Sequence, residues 1–113
     1  MSEQPCLPFG QTIADRFEQF HCDNPRVYAV LVRLAREWVR TTGRRKVGIS
    51  ALFERTRWEI AIETKSPDFK LNNNFRAFYA RLLMAENEDL DDIFDLRRSE
   101  ADQWINDHLR VAS

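Results

Sequence analysis

The chain has 113 residues, 43% of them apolar and 12% aromatic, with a net charge of −1. That content suffices for one domain with a real core and excludes an intrinsically disordered chain. No apolar run approaches the ~18 residues of a membrane span, and the N-terminus lacks the basic and apolar regions of a signal peptide, so a soluble, cytoplasmic protein with no membrane partner is expected. Three Gly and four Pro allow few turns, which favours helices over a many-stranded sheet.

Residues 1–11, with Pro5, Pro8 and Gly10, read as a flexible arm, and residues 12–113 as a single helical domain. Thr12 is placed to cap a short helix with Ile13, Phe17 and Phe20 on one face, ending over His21 to Asp23. Asn24-Pro25 is a helix start, because Asn caps well and Pro at the first position gives up an N–H that would be unbonded anyway. Val27, Leu31, Leu34 and Trp38 then repeat at helical spacing until Gly43 stops the helix, so it spans about 25–42. Val47 and Ile49 alternate with Lys46 and Gly48 and predict a short strand. Ser50 is the expected cap of the next helix, whose buried side is Leu52, Phe53, Thr56 and Ile60, with Trp58 as a further candidate.

After a turn at Lys65-Ser66-Pro67-Asp68, Asn72 or Asn73 is expected to cap a strongly apolar helix carrying Phe75, Phe78, Tyr79, Leu82 and Leu83, with Leu71 packing back as a staple. An acidic turn follows Asn87. Phe94 and Leu96 alternate with Asp95 and Arg97, predicting a second strand that pairs with Lys46–Ile49. Ser99 with Asp102 resembles a capping box for a last helix bearing Ala101, Trp104, Ile105 and Leu109. The fold class is therefore mainly α: one compact helical domain with a small two-stranded β element.

The order helix, strand, helix, helix, strand over about residues 24–98 resembles a winged-helix or helix-turn-helix domain. The chain departs from that pattern in lacking a hairpin of consecutive strands and in a longer turn between the two helices. A second resemblance rests on Lys46-Val-Gly-Ile-Ser50, Arg57-Trp-Glu59 and Asp68-Phe-Lys-Leu-Asn-Asn-Asn-Phe-Arg-Ala-Phe-Tyr-Ala-Arg-Leu82. This run resembles a group of small proteins of phages and bacterial mobile elements and covers most of residues 16–100. The group has no assigned activity, so the resemblance implies a phage or prophage setting and carries over no functional residue.

Charge is unevenly divided. Residues 26–57 hold nine Lys/Arg against Glu37 and Glu54, a net of +7, between an N-terminal segment of −3 and a C-terminal segment of −5. Arg44, Arg45, Lys46 and Arg55 in the basic segment, with Lys70, Asn72, Asn73, Asn74 and Arg76 at the mouth of the following helix, are the candidate DNA-binding residues. Guanidinium and ammonium groups contact phosphate, the N-terminal end of the second helix of such a motif meets base edges, and Asn and Arg match adenine and guanine there. The asparagines fit turn and cap chemistry equally well. The expected function is non-enzymatic DNA binding, such as a phage-type transcriptional regulator, with a homodimer as a possible assembly. The alternative is a small protein that binds and inhibits a host protein, for example a defence complex, through Asp89, Asp91, Asp92 and Asp95.

Other chemistry is weaker. Adjacent His21, Cys22 and Asp23, with His108 far away, lack the paired spacing of a zinc site, and neither cofactor nor metal is expected. Catalytic motifs for nucleophilic or phosphate-loop chemistry are missing; Glu59, Glu63, Asp68 and Lys70 are the sole trace of a metal-dependent nuclease. Cys6 and Cys22 are expected as free thiols of a reducing compartment, with a disulfide between them the alternative.

Overall fold

The computed structural model describes residues 12–66 and 69–112. The described residues form five helices: α1 (Ile13–Asp23), α2 (Pro25–Thr42), α3 (Ile49–Thr64), α4 (Arg76–Glu86) and α5 (Glu100–Ala112). Short 3-10 turns at Asn73–Phe75 and Glu88–Leu90 lead into and out of α4. The arm expected over residues 1–11 lies outside the described residues.

Most starts and stops follow local chemistry. The Thr12 hydroxyl accepts from the Asp15 N–H at 3.0 Å and caps α1. Pro25 opens α2, and Gly43 closes it in the left-handed region at φ 73°, where a side chain would be strained. At the start of α5, the Asp102 carboxylate accepts from the Ser99 N–H at 2.9 Å while the Ser99 hydroxyl accepts from the Ala101 N–H at 3.0 Å.

The predicted strands are not there. Among the described residues no strand occurs, so the two-stranded element and the winged-helix architecture are both corrected to an all-helical domain. The reason is local. α3 begins at Ile49 with Gly48, not Ser50, as its cap, which leaves too few extended residues after Gly43. The Lys46 carbonyl is taken by the Trp38 indole N–H at 3.0 Å instead of a neighbouring strand. On the other side, Ile93 and Phe94 are both buried, so the alternation of a half-buried strand is not realised, and the Ile93 N–H turns back to the Leu90 carbonyl at 3.2 Å. Among the described residues one backbone–backbone bond joins the two segments, Val47 N–H to the Ile93 carbonyl at 3.1 Å. They are neighbours without being a ladder.

α2 packs along α3 and α4 along α5, and α1 closes the group against α2, α5 and the turn before α4. The centre is aromatic. Phe17 is fully buried, with ring centroids 4.7 Å from Tyr79, 5.1 Å from Trp104 and 5.3 Å from Phe78. α4 is the central helix: Phe78 through Leu83 are all buried, so this helix is covered on nearly every side. What α4 leaves at the surface near its start is Asn72 to Asn74, exposed, with Arg76 half-buried beside them. Trp58 is also corrected: it is 56% exposed on α3, under the Arg55 guanidinium at 4.9 Å, and Ile62 beside it is equally exposed. Leu109, expected on the apolar side of α5, is exposed as well.

Within this core the Tyr79 and Thr56 hydroxyls are buried with no hydrogen-bond partner among the described residues. Burial pushes the Tyr79 phenol well above its ordinary pKa, as an unsolvated hydroxyl requires. Tyr79→Phe removes that hydroxyl and keeps the ring contacts. We expect thermal unfolding to show unchanged stability or a gain of up to about 1 kcal/mol. A loss of similar size would show that the hydroxyl makes a bond the fold needs.

Candidate nucleic-acid interface

The fold folds the charge segments onto each other. Arg45 pairs with Asp92, Lys46 with Asp95 at 3.0 Å, and Arg36 with Asp89 at 3.0 Å. Arg26 pairs with Glu63, Arg33 and Arg55 share Glu59, and Arg57 meets Glu54. Of the nine cations behind the +7 segment, Arg40 and Arg44 are the ones without a carboxylate at ion-pair distance among the described residues. The partners hold three of these carboxyls below their ordinary pKa. Arg36 depresses the Asp89 pKa, Arg45 that of Asp92, and Arg55 with Arg33 that of Glu59. The same pairing engages the acids of the alternative reading, in which Asp91 alone among Asp89, Asp91, Asp92 and Asp95 has no ion pair.

Positive charge that is not cancelled gathers elsewhere. A cleft of about 560 Å³ opens between the start of α3, the mouth of α4 and the segment before α5. Ser50 comes from the first turn of α3, Asn73 and Asn74 from the 3-10 turn, Arg76 from the first residue of α4, and Arg97, Arg98 and Ser99 from the approach to α5. Its one acid, Asp95, is the residue bound by Lys46. Arg97 and Arg98 have no carboxylate within ion-pair distance among the described residues, and neither has Arg76.

Arg76 is held by neutral groups: it donates to the Ser50 hydroxyl at 2.6 Å and to the Asn73 carbonyl at 3.1 Å. Beneath it lies Arg81, whose side chain is 6% exposed. It donates to the Asp102 carboxylate and the Arg97 carbonyl, both at 2.6 Å, and to the Ala77 carbonyl at 2.9 Å. Arg81 thereby ties the wall bearing Arg97 and Arg98 to α4.

The predicted residues divide accordingly. Asn73, Asn74 and Arg76 share the cleft. Asn72 is the cap, its side-chain oxygen accepting from the Asn74 N–H at 2.8 Å. Asn73 does double service, since its side-chain oxygen also accepts from Arg57 at 2.9 Å. Lys46 reaches the rim through Asp95, and Arg45 lies beyond it on Asp92. Arg55 is separate, lining an apolar groove with Leu34, Trp38, Val47 and Leu52. Arg44 and Lys70 are exposed, without a carboxylate partner among the described residues, and outside the cleft lining. The residues missed from sequence are Arg97, Arg98, Ser50 and Ser99. The adjacent arginines before the Ser99 cap were the available signal, masked by the acidic average of that end.

The weaker candidates also find places. Glu59 and Glu63 are ion-paired to arginines, with guanidinium where a nuclease metal would be held; Asp68 lies outside the described residues. Among the described residues no three His, Cys, Asp or Glu converge as metal ligands. His21 is no surface turn: its ring stacks on Phe17 at 5.7 Å, its Nδ1 is buried, and burial lowers its pKa despite Glu86 and Glu18 nearby. Cys22 is disulfide-bonded and is not the free thiol expected. Comparison with known protein families, with curated proteins and with solved structures returns no match for the chain.

Proposed function

We propose that the protein is a non-enzymatic DNA-binding protein that grips the sugar–phosphate backbone through the cleft of Arg76, Arg97 and Arg98. The observation that carries this reading is three guanidiniums on one concave surface with no carboxylate at ion-pair distance among the described residues, in a chain that pairs most of its other arginines with acids. Arginine forks match phosphate oxygens two at a time. Asn74 and the serine hydroxyls add neutral donors around them. Because α4 is enclosed in the core, base edges are out of its reach. The contact is therefore with the backbone, and sequence preference is weak.

The test is fluorescence anisotropy with labelled DNA over a salt series. Wild type is expected to bind at ~50 mM salt and to weaken steeply as salt rises, by counterion release. The triple variant Arg76→Gln, Arg97→Gln, Arg98→Gln should bind at least about tenfold more weakly, with a log–log salt slope shallower by about 2–3. Equal binding by variant and wild type, or no binding by wild type at low salt, sinks the reading.

A further inference from the structure

The cleft has a property that general backbone contact does not require. Arg26, Arg36, Arg57 and Arg81 are each held by two or more hydrogen bonds, and each has a carboxylate partner. Arg76 is held just as firmly, at 2.6 and 3.1 Å, and has none among the described residues. It is also partly buried at the mouth of α4. A fixed, partly desolvated guanidinium without a counter-charge is unfavourable unless an anion completes it.

The neighbours are matched to such an anion. The Ser50 hydroxyl accepts from Arg76, and the Ser99 hydroxyl accepts from the Ala101 N–H, so each keeps its own proton to donate. Arg97 and Arg98 line the same cleft with no carboxylate at ion-pair distance among the described residues, although Asp102 lies within the field of Arg98. Apart from Asp95, which Lys46 engages, the charged groups of the lining are cations, and such donors suit a compact oxyanion with several terminal oxygens. A phosphate monoester carries up to two charges and three free oxygens. An internal phosphodiester carries one charge and two. A concave seat also admits an end more readily than the convex side of a duplex.

We infer that Arg76, Arg97 and Arg98, with the Ser50 and Ser99 hydroxyls, form a seat for a phosphate monoester, and that its source is the terminal phosphate of a nucleic-acid strand. The assignment rests on the DNA-binding reading and names the part of the DNA that the cleft holds.

The experiment compares single strands of about 12 nucleotides, internally labelled, ending in 5′-phosphate, 3′-phosphate or hydroxyls only. At fixed salt, one of the phosphorylated strands is expected to bind about tenfold more tightly than the hydroxyl strand. Arg76→Gln should erase the difference, as should Arg98→Gln, an exposed position whose replacement leaves the core untouched. Arg44→Gln, outside the cleft, should retain it. Inorganic phosphate at millimolar concentration should narrow the gap in wild type. Equal binding of all three strands overturns the inference while leaving the DNA reading in place. If inorganic phosphate raises the melting temperature of wild type but not of Arg76→Gln, and the three strands still bind alike, the seat takes free phosphate and the strand-end source is wrong. Failure of every strand to bind rejects both.

Discussion

Phe17→Ala is expected to destabilise the protein by about 3–5 kcal/mol, enough to unfold much of a marginally stable domain of this size. Phe17 is fully buried and is the one side chain through which α1 enters the centre. Its ring lies edge-on to Tyr79 and Trp104 and stacks with Phe78, with Phe75 at 5.8 Å and His21 at 5.7 Å. Truncation at this point removes the transfer term of a phenyl ring and also leaves a cavity shared by α1, α4 and α5. Close-packed aromatic neighbours cannot collapse into it without leaving their rotamers. Phe20, half-buried on the same face of α1, should cost less, because its ring contact is chiefly with Phe75. Urea titration followed by tryptophan fluorescence reads both. A Phe17→Ala loss below about 1.5 kcal/mol would mean that α1 is not docked as described.

What could be read from the sequence was what is decided within a few residues. Thr12, Pro25, Gly43, Asn72 and the Ser99–Asp102 pair mark helix ends because each acts on backbone within about one turn, whereas Asn24, expected to cap α2, makes no side-chain cap bond and donates back to the Phe20 carbonyl. The apolar positions of α2 were legible for the same reason, since one face is buried and the other wet. The buried sides of α3 and α4 were legible as well: Leu52, Phe53, Thr56 and Ile60, and Phe78, Tyr79, Leu82 and Leu83, are all buried. The pattern did not show that Trp58 and Ile62 stay exposed on α3, nor that Ala80 and Arg81 are buried too and enclose α4 nearly all round. The strand readings failed because three or four alternating residues match the end of an irregular segment as well as a ladder. Burial of consecutive Ile93 and Phe94 decided against a strand.

The candidate site was legible only in part, and charge is the reason. A basic segment and an acidic segment look like two surfaces when read along the chain. In the fold Arg45 and Lys46 lie against Asp92 and Asp95, nearly half the chain away, and the two surfaces cancel. Cations that stay free are those with no acid brought near by packing, a property of tertiary neighbours that composition does not hold. Asn73, Asn74 and Arg76 were recoverable because they share one helix mouth. Arg97 and Arg98 were not, because they reach that mouth from more than twenty residues further along the chain.

Arg81 joins the core to the cleft, and its replacement should show it. Arg81→Met is expected to cost about 2–4 kcal/mol, because the fork satisfies the Ala77 and Arg97 carbonyls and a carboxylate from a nearly dry position. Asp102 is itself half-exposed and can rehydrate, which keeps the cost below that of a fully buried broken pair. The Arg81 guanidinium holds the Asp102 carboxyl below the usual carboxylate range, with help from the Ser99 N–H. In Arg81→Met that carboxyl should titrate closer to its ordinary value, which carbon-detected NMR can follow. Arg81→Lys keeps the charge but presents no planar fork, so it should rescue the Asp102 titration in part and the stability poorly. The consequence for the cleft is separate from both. Loss of the bond to the Arg97 carbonyl frees the wall that carries Arg97 and Arg98, so DNA binding should weaken even where either variant remains folded. A folded Arg81→Met with undiminished affinity would show that the wall is held by the α5 cap alone, and that Arg81 serves the core and not the site.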